Sequence, residues 1–315
     1  MSFSELLGNK AAKTALQRLI ECKAVPYALL FCGPDGVGKS LCALHMVQSL
    51  MGSSSQAKLL SGNHPDLHRL RPEGKGGVHP IESIRALISE AALPPFEAPA
   101  KFFIIHDAHQ MLPASGNALL KTLEEPAEHT YFILLTSQPE SLLPTIVSRL
   151  RKVAFFPIAD KEIAQYAQEH WHKEKKEAER IAFLSHGSFD KASHLANSAG
   201  DTHHALVQEF VSLSLPSDYP RLFSICEAWE KSLEEETLTT DALLEEILAW
   251  YRDLLLVKEK IAPECLFHLD AIQQLQEKAK GTVVSLETIL SKIITVRSAL
   301  QRHVKLRTAL EHFFT

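Results

Sequence analysis

The feature that most constrains this chain is Gly33-Pro34-Asp35-Gly36-Val37-Gly38-Lys39-Ser40, a complete G-x-x-x-x-G-K-[ST] pattern directly after the apolar run Ala28-Leu29-Leu30-Phe31. Its spacing has a chemical reason. Gly36 and Gly38 let backbone N–H groups turn inward around phosphate oxygens, Lys39 reaches the β- and γ-phosphates, and Ser40 offers a hydroxyl to Mg²⁺. A helix starting near Lys39 adds the positive end of its dipole. The pattern predicts a nucleotide-binding fold with ATP and Mg²⁺ as candidate ligands. A glycine-rich turn without a ligand is the plainer alternative, and binding does not by itself imply hydrolysis.

A phosphate loop belongs in an alternating α/β architecture, and the first half of the chain supplies one. Strands are expected at Ala28 to Cys32, Leu67 to Leu70, Phe102 to Ile105, Tyr131 to Thr136 and Val153 to Phe156. Helices are expected at Leu6 to Ile20, Leu41 to Leu50, Ile81 to Ala92 and Asn117 to Glu125, with Pro94 to Pro99 as a linker. Uninterrupted apolar runs such as Phe102-Phe103-Ile104-Ile105 suit parallel strands buried on both faces. The doubly wound sheet that results places ligands at the carboxyl ends of its strands.

After Pro157 the strand signal stops. Helices are read at 160–171, 175–185 and 189–198, then at 203–213, 219–233, 239–260, 265–279 and 285–313. The division expected is a nucleotide-binding sheet domain at 1–158, a small helical domain at 159–201 and a helical assembly domain at 202–315. A plain helical substrate domain is the other reading of the last segment.

Composition closes off several classes. With 33 Lys+Arg against 38 Asp+Glu the net charge is −5, so no global basic field draws the chain onto DNA or an anionic membrane. Nucleic-acid contact must be local or shared. Five scattered cysteines without a C-x-x-C suit reduced thiols in a cytosolic protein. The opening residues lack the basic and apolar regions of a secretion signal, and no apolar run is long enough for a bilayer. Sixteen histidines, among them the pairs His64/His68 and His106/His109, come without a full ligand set, so no metal site is assigned to them.

A hydrolysing phosphate-loop ATPase needs an acidic residue for Mg²⁺ and usually a second to orient the attacking water, both just beyond a buried strand. Here Ile105-His106-Asp107-Ala108-His109 carries Asp107 alone. If Asp107 orients water, His106 stands where the metal carboxylate belongs; if it serves the metal, Ala108 leaves no base. A cap on the strand end is the structural alternative for Asp107.

Asn117-Ala118-Leu119-Leu120-Lys121-Thr122-Leu123-Glu124-Glu125-Pro126 resembles the NALLKTLEEP segment of clamp-loader AAA+ ATPases, a more specific signal than the phosphate loop. Pro26 to Phe31, Asn63-His64-Pro65-Asp66, Arg71-Pro72-Glu73-Gly74, Ile84-Arg85, Ser148-Arg149 and, near the end, Leu306-Arg307-Thr308-Ala309-Leu310-Glu311 follow in the family's order. The resemblance covers nearly the whole chain. It implies an AAA+ phosphate-loop domain, a helical lid and a C-terminal collar. The four-cysteine zinc module usual in the family has no counterpart between the phosphate-loop helix and His64, so zinc is not expected.

Within that family the chain looks like a non-motor subunit. It is short, its acidic motif is depleted, and after Gly187-Ser188 it has Phe189-Asp190-Lys191 where motor subunits place a phosphate-sensing arginine. Ser148-Arg149 corresponds to the family's S-R-C motif with Leu150 in the cysteine's place. By that resemblance Arg149 projects into a neighbouring subunit's ATP site as an arginine finger; a surface arginine closing a helix is the alternative. Lys75 and Arg85 are DNA-phosphate candidates, or ordinary exposed cations. The implied partners are the gamma/tau and delta subunits, the sliding clamp and primer-template DNA, in the cytoplasm and without a membrane. Two other readings stay open: an autonomous gamma/tau-like motor that hydrolyses ATP itself, and a small-molecule phosphate-loop kinase.

Overall fold

The structure is a computed structural model and describes residues 6–52, 58–59, 64–73, 77–197, 200–213, 218–234, 240–262, 265–268, 271–281, 284–302, 304–311 and 313. The chain forms two compact units. One comprises Met1–Glu162 with Gly187–Phe189, the other Ile163–His186 with Asp190–Thr315.

The first unit is built on five parallel strands, β1 (Ala28–Cys32), β2 (Leu67–Leu70), β3 (Lys101–Ile105), β4 (Thr130–Thr136) and β5 (Arg151–Ala154), in the order β2-β3-β4-β1-β5. The helices between them are α1 (Lys10–Glu21), α2 (Lys39–Met51), α3 (Ile81–Ala91), α4 (Pro113–Glu124) and the short α5 (Pro144–Val147). Alternate strand residues go to opposite faces. Leu29, Phe31, Phe102, Ile104, Ile133 and Leu135 meet Leu16, Ala43, Met46 and Val47 on one side. Leu30, Phe103, Ile105, Phe132 and Leu134 meet Ile84, Leu87, Leu119 and Leu123 on the other. Two buried faces explain why β1, β3 and β4 contain unbroken apolar runs, and each large side chain so buried contributes about 1.5–3 kcal/mol.

Three local expectations need correction. Helix α1 starts at Lys10, because Gly8 and Asn9 turn the chain at φ 66° and 48°. Helix α4 begins earlier than Asn117, at Pro113, whose missing N–H and fixed φ suit a first helical turn. The Pro94 to Pro99 stretch is fastened rather than free. The buried Asp66 carboxylate accepts the N–H groups of Phe96, Glu97 and Ala98 at 2.6, 2.8 and 2.8 Å.

Past β5 the described elements are helical: α6 (Asp160–His170), α7 (Lys175–Ser185), α8 (Phe189–Asn197), α9 (Gly200–Ser212), α10 (Tyr219–Glu234), α11 (Thr240–Lys258), α12 (Ile272–Ala279), α13 (Leu286–Gln301) and α14 (Leu306–Glu311). Phe210, Trp229, Trp250 and Phe313 lie in the core of the second unit. A buried ionic cluster ties α7 to α11. His268 Nδ1 lies 2.8 Å from Asp253 and its Nε2 3.1 Å from Glu246, while Arg180 donates to Glu246 at 2.5 Å and Arg252 to Asp253 at 2.7 Å.

That cluster explains why the helix expected from residue 265 begins only at Ile272. The Phe267 and His268 N–H groups donate to Asp253 Oδ2 instead of to a helical ladder. The helix expected over 285–313 is also interrupted. Val304 N–H turns back to the Ala299 carbonyl, and the break lets Leu306, Leu310 and Phe313 enter the core.

Candidate nucleotide site and arginine edge

The phosphate loop leaves β1 at Gly33 and enters α2 at Lys39. Its foot is held from both neighbouring strands: Gly33 N–H donates to the Thr136 carbonyl of β4, and Phe155 N–H, just past β5, donates to the Cys32 carbonyl. The tip is fastened too, because Phe189 N–H donates to the Gly36 carbonyl at 2.8 Å. On the other flank Asn9 Nδ2 donates to the Val37 and Phe156 carbonyls at 3.3 and 3.0 Å, and its Oδ1 accepts Phe156 N–H.

Gly38, at φ 93°, precedes α2, and no side chain caps that helix end. Its first N–H groups are therefore without an intrahelical partner, and a Cβ at Gly38 would meet nothing within 4 Å. This open, donor-lined space suits phosphate oxygens. Lys39 is nearly buried and folds back on the loop, with Nζ 2.6 Å from the Gly33 carbonyl, 2.7 Å from that of Pro34 and 3.5 Å from Asp35 Oδ1. Burial lowers its pKa, and the charges of Asp35 and Asp107 oppose that shift. Gly33 to Ser40 thus form one continuous cradle.

At the end of β3, Asp107 adopts φ 47° and its side chain caps no helix turn. The cap reading is not what is seen. The half-buried carboxylate makes no hydrogen bond or ion pair to a described residue, while its charge acts on Lys39 and on His106. Ala108, beside it, is fully buried. Burial first, then the charge of Arg71, pushes the His106 imidazole down to about 4, so His106 is neutral at pH 7 and brings no charge to this end of the sheet. Thr136 at the tip of β4 is also buried, with Oγ1 3.2 Å from His109 Nδ1 and accepting Gln138 N–H.

Arg149 follows α5 at an exposed edge, where no bond joins it to the phosphate loop among the described residues. Its Nε donates to Glu124 Oε1 at 2.6 Å and its Nη2 pairs with the same carboxylate. Nη1 donates to the Thr145 carbonyl at 2.6 Å and to Ser148 Oγ at 3.3 Å. Arg85 is exposed on α3; Lys75 lies outside the described residues. Asn9 and Glu124 were not anticipated as parts of these sites. Asn9 had no signal beyond standing after a glycine, and Glu124 was legible only as part of its motif.

The family model described as "DNA polymerase III, delta subunit" matches residues 8–159. Over 313 residues the chain is 28% identical to the DNA polymerase III subunit delta' of Bacillus subtilis (strain 168), covering 94% of this chain and 92% of that relative. The chain is thus similar to a DNA polymerase III delta' subunit over nearly its whole length. It is also 34% identical over 167 residues to the gamma/tau subunit of Mycobacterium tuberculosis (strain ATCC 25618 / H37Rv), but that match covers 49% of this chain and 28% of the longer relative. Among solved structures, a gamma subunit-related protein from Thermotoga maritima aligns with TM-score 0.45 at 19% identity, over 93% of this chain and 99% of that one. Among the described residues no helix is long and apolar enough to cross a membrane.

Proposed function

We propose that the chain is a delta-prime-type, non-motor subunit of the DNA polymerase III clamp loader, which completes a neighbour's ATPase site with Arg149 and helps load the sliding clamp on primed DNA. The observation that carries this reading is the end of β3, where an otherwise intact phosphate loop faces a single carboxylate, Asp107, beside the buried Ala108. Near full-length similarity to a delta' subunit supports it.

On this reading residues 1–158 form the AAA+ domain, 159–201 the lid and 202–315 a collar that joins gamma/tau and delta. Lys39 and the amides of Gly36 to Ser40 would hold the phosphates, Ser40 would face Mg²⁺, and Arg85, with Lys75, would meet phosphates of primer-template DNA. When bound, Mg²⁺-ATP supplies a γ-phosphoryl group and the metal charge that spreads over it. To bind it, Lys39 exchanges its two loop carbonyls for phosphate oxygens. Asp107 alone cannot both serve the metal and orient water, so turnover by this chain is weak or absent.

The test is clamp- and DNA-stimulated ATPase of a ring reconstituted with motor and delta subunits, wild type against Arg149→Ala, at matched assembly. An arginine finger is worth ~10³ to 10⁵ in rate at the site it serves, so that site's share of turnover should vanish. Unchanged turnover refutes the finger. The intact loop favours one second reading, a gamma/tau-like motor; ATP hydrolysis by the isolated chain that disappears in Lys39→Ala would establish it.

A further inference from the structure

We infer that Glu124 is a positioning residue for Arg149, a competing counter-ion that keeps the guanidinium folded on its own subunit until a phosphate takes the carboxylate's place. The inference rests on the finger reading above and adds its regulation.

The argument is a count of donors. A guanidinium has five N–H groups, and gripping a phosphate with its planar fork takes two of them side by side. In Arg149 the Nε–H and one Nη2–H go to Glu124, and both Nη1–H groups face the Thr145 carbonyl and Ser148 Oγ. A single Nη2–H is left. A phosphate cannot be held by the fork unless Glu124, or one of the two Nη1 acceptors Thr145 and Ser148, lets go.

Charge makes Glu124 the decisive partner. The Thr145 and Ser148 oxygens are neutral and close in sequence, so they can travel with the arginine. Glu124 is an anion on a different element, the last residue of α4, and an incoming phosphate meets its repulsion as long as the pair stands. Both side chains are partly exposed, at 31% and 47%, so the pair is weak enough to exchange. It lowers the fraction of competent finger without abolishing it.

The α4 end therefore governs the readiness of the finger. A displacement of α4 relative to α5 would separate Glu124 from Arg149 and release the fork. Neither the phosphate loop nor Asp107 is needed for this arrangement.

The test is ATPase of the reconstituted ring, with and without clamp and primed DNA, for wild type, Glu124→Gln, Arg149→Ala and the double variant, each at matched assembly and melting temperature. Glu124→Gln keeps shape and removes charge. It should raise unstimulated turnover about two- to fivefold, the factor gained by freeing an exposed pair, and lessen the stimulation by clamp and DNA. The double variant should fall to the level of Arg149→Ala. If Arg149→Ala reduces turnover but Glu124→Gln leaves it unchanged or lowers it, the counter-ion role is overturned and the finger survives. If Arg149→Ala has no effect, both are overturned. A rise in Glu124→Gln that persists in the double variant also overturns the inference, because the gain then bypasses Arg149.

Discussion

Gly33→Ala should cost the sheet unit several kcal/mol, and the size follows from two separate geometric terms. A Cβ at Gly33 would lie 2.2 Å from the Phe155 carbonyl oxygen and 2.8 Å from its carbon. Both are backbone atoms, so no side chain can rotate away. Overpacking of this kind costs roughly 1–3 kcal/mol or more, and φ 154° adds about 1–2 kcal/mol for an L-residue held outside its ordinary regions. The sum is ~2–5 kcal/mol, against a total stability of roughly 5–15 kcal/mol for a domain. At about 2–4 °C per kcal/mol for a domain of this size, the sheet unit should melt roughly 4–20 °C lower. Gly38→Ala is the control, since it carries only the conformational term at φ 93° with nothing within 4 Å of the added carbon. Its melting temperature should fall by about 2–8 °C, and by less than that of the Gly33 variant. Melts followed by circular dichroism check both. A Gly33 variant within 2 °C of wild type, or a Gly38 variant equally damaged, would refute the collision argument.

Asp66→Ala should destabilise the sheet unit by about 3 kcal/mol in urea titration, because three N–H groups of the 96–98 loop lose their acceptor. Burial alone would raise the Asp66 pKa, but the three backbone hydrogen bonds outweigh it and the net shift is downward. Its stabilisation is therefore complete above the unfolded carboxylate pKa and is lost as pH falls through the lower folded value; wild type should show this acid limb and Asp66→Ala should lack it. His268 has the opposite sign. Burial lowers it, hydrogen bonds and charges from Asp253 and Glu246 win, and the folded pKa is raised despite Arg180 and Arg252 nearby. That stabilisation is full below pH ~6.5 and declines as pH rises through the folded value, so His268→Gln should remove an alkaline-side loss measured by denaturant titration. Lys39→Ala should weaken Mg²⁺-ATP binding to the isolated chain by about tenfold or more in calorimetry, since a charge-assisted phosphate contact is worth ~1.5–3 kcal/mol.

The sheet was legible because β1, β3 and β4 each carry an uninterrupted apolar run, over residues 28–31, 102–105 and 131–135, and burial on both faces explains such runs. The phosphate loop was legible for a different reason: its residues are contiguous, so their spacing encodes their geometry. What could not be read depends on distant partners. Helix α12 starts at Ile272 because a carboxylate on α11 takes the N–H groups of Phe267 and His268, and nothing local announces that choice. Glu124 could be quoted within a motif, yet its pairing with Arg149 requires α4 and α5 to be side by side. Asn9 is a similar case, joining the chain start to Val37 and Phe156 through contacts that have no sequence period.

The strand order also sets a timetable for synthesis. Strand β1 lies between β4 and β5, so its first hydrogen-bonded neighbour is not made until about residue 130 and its second not until Arg151. At ~5–20 residues per second, Leu29, Leu30 and Phe31 are added roughly 6–24 s before Arg151. During that interval an apolar segment waits without its neighbouring strands, sheltered by the helices made before them, α1 and α2 on the Leu29 and Phe31 face and later α3 and α4 on the Leu30 face. The nucleotide loop, although encoded near the start, gains its fixed base only when β4 and β5 arrive. Slowing translation between Asn117 and Phe155 would lengthen the exposure of β1 and make this stage of biogenesis the one most prone to aggregation.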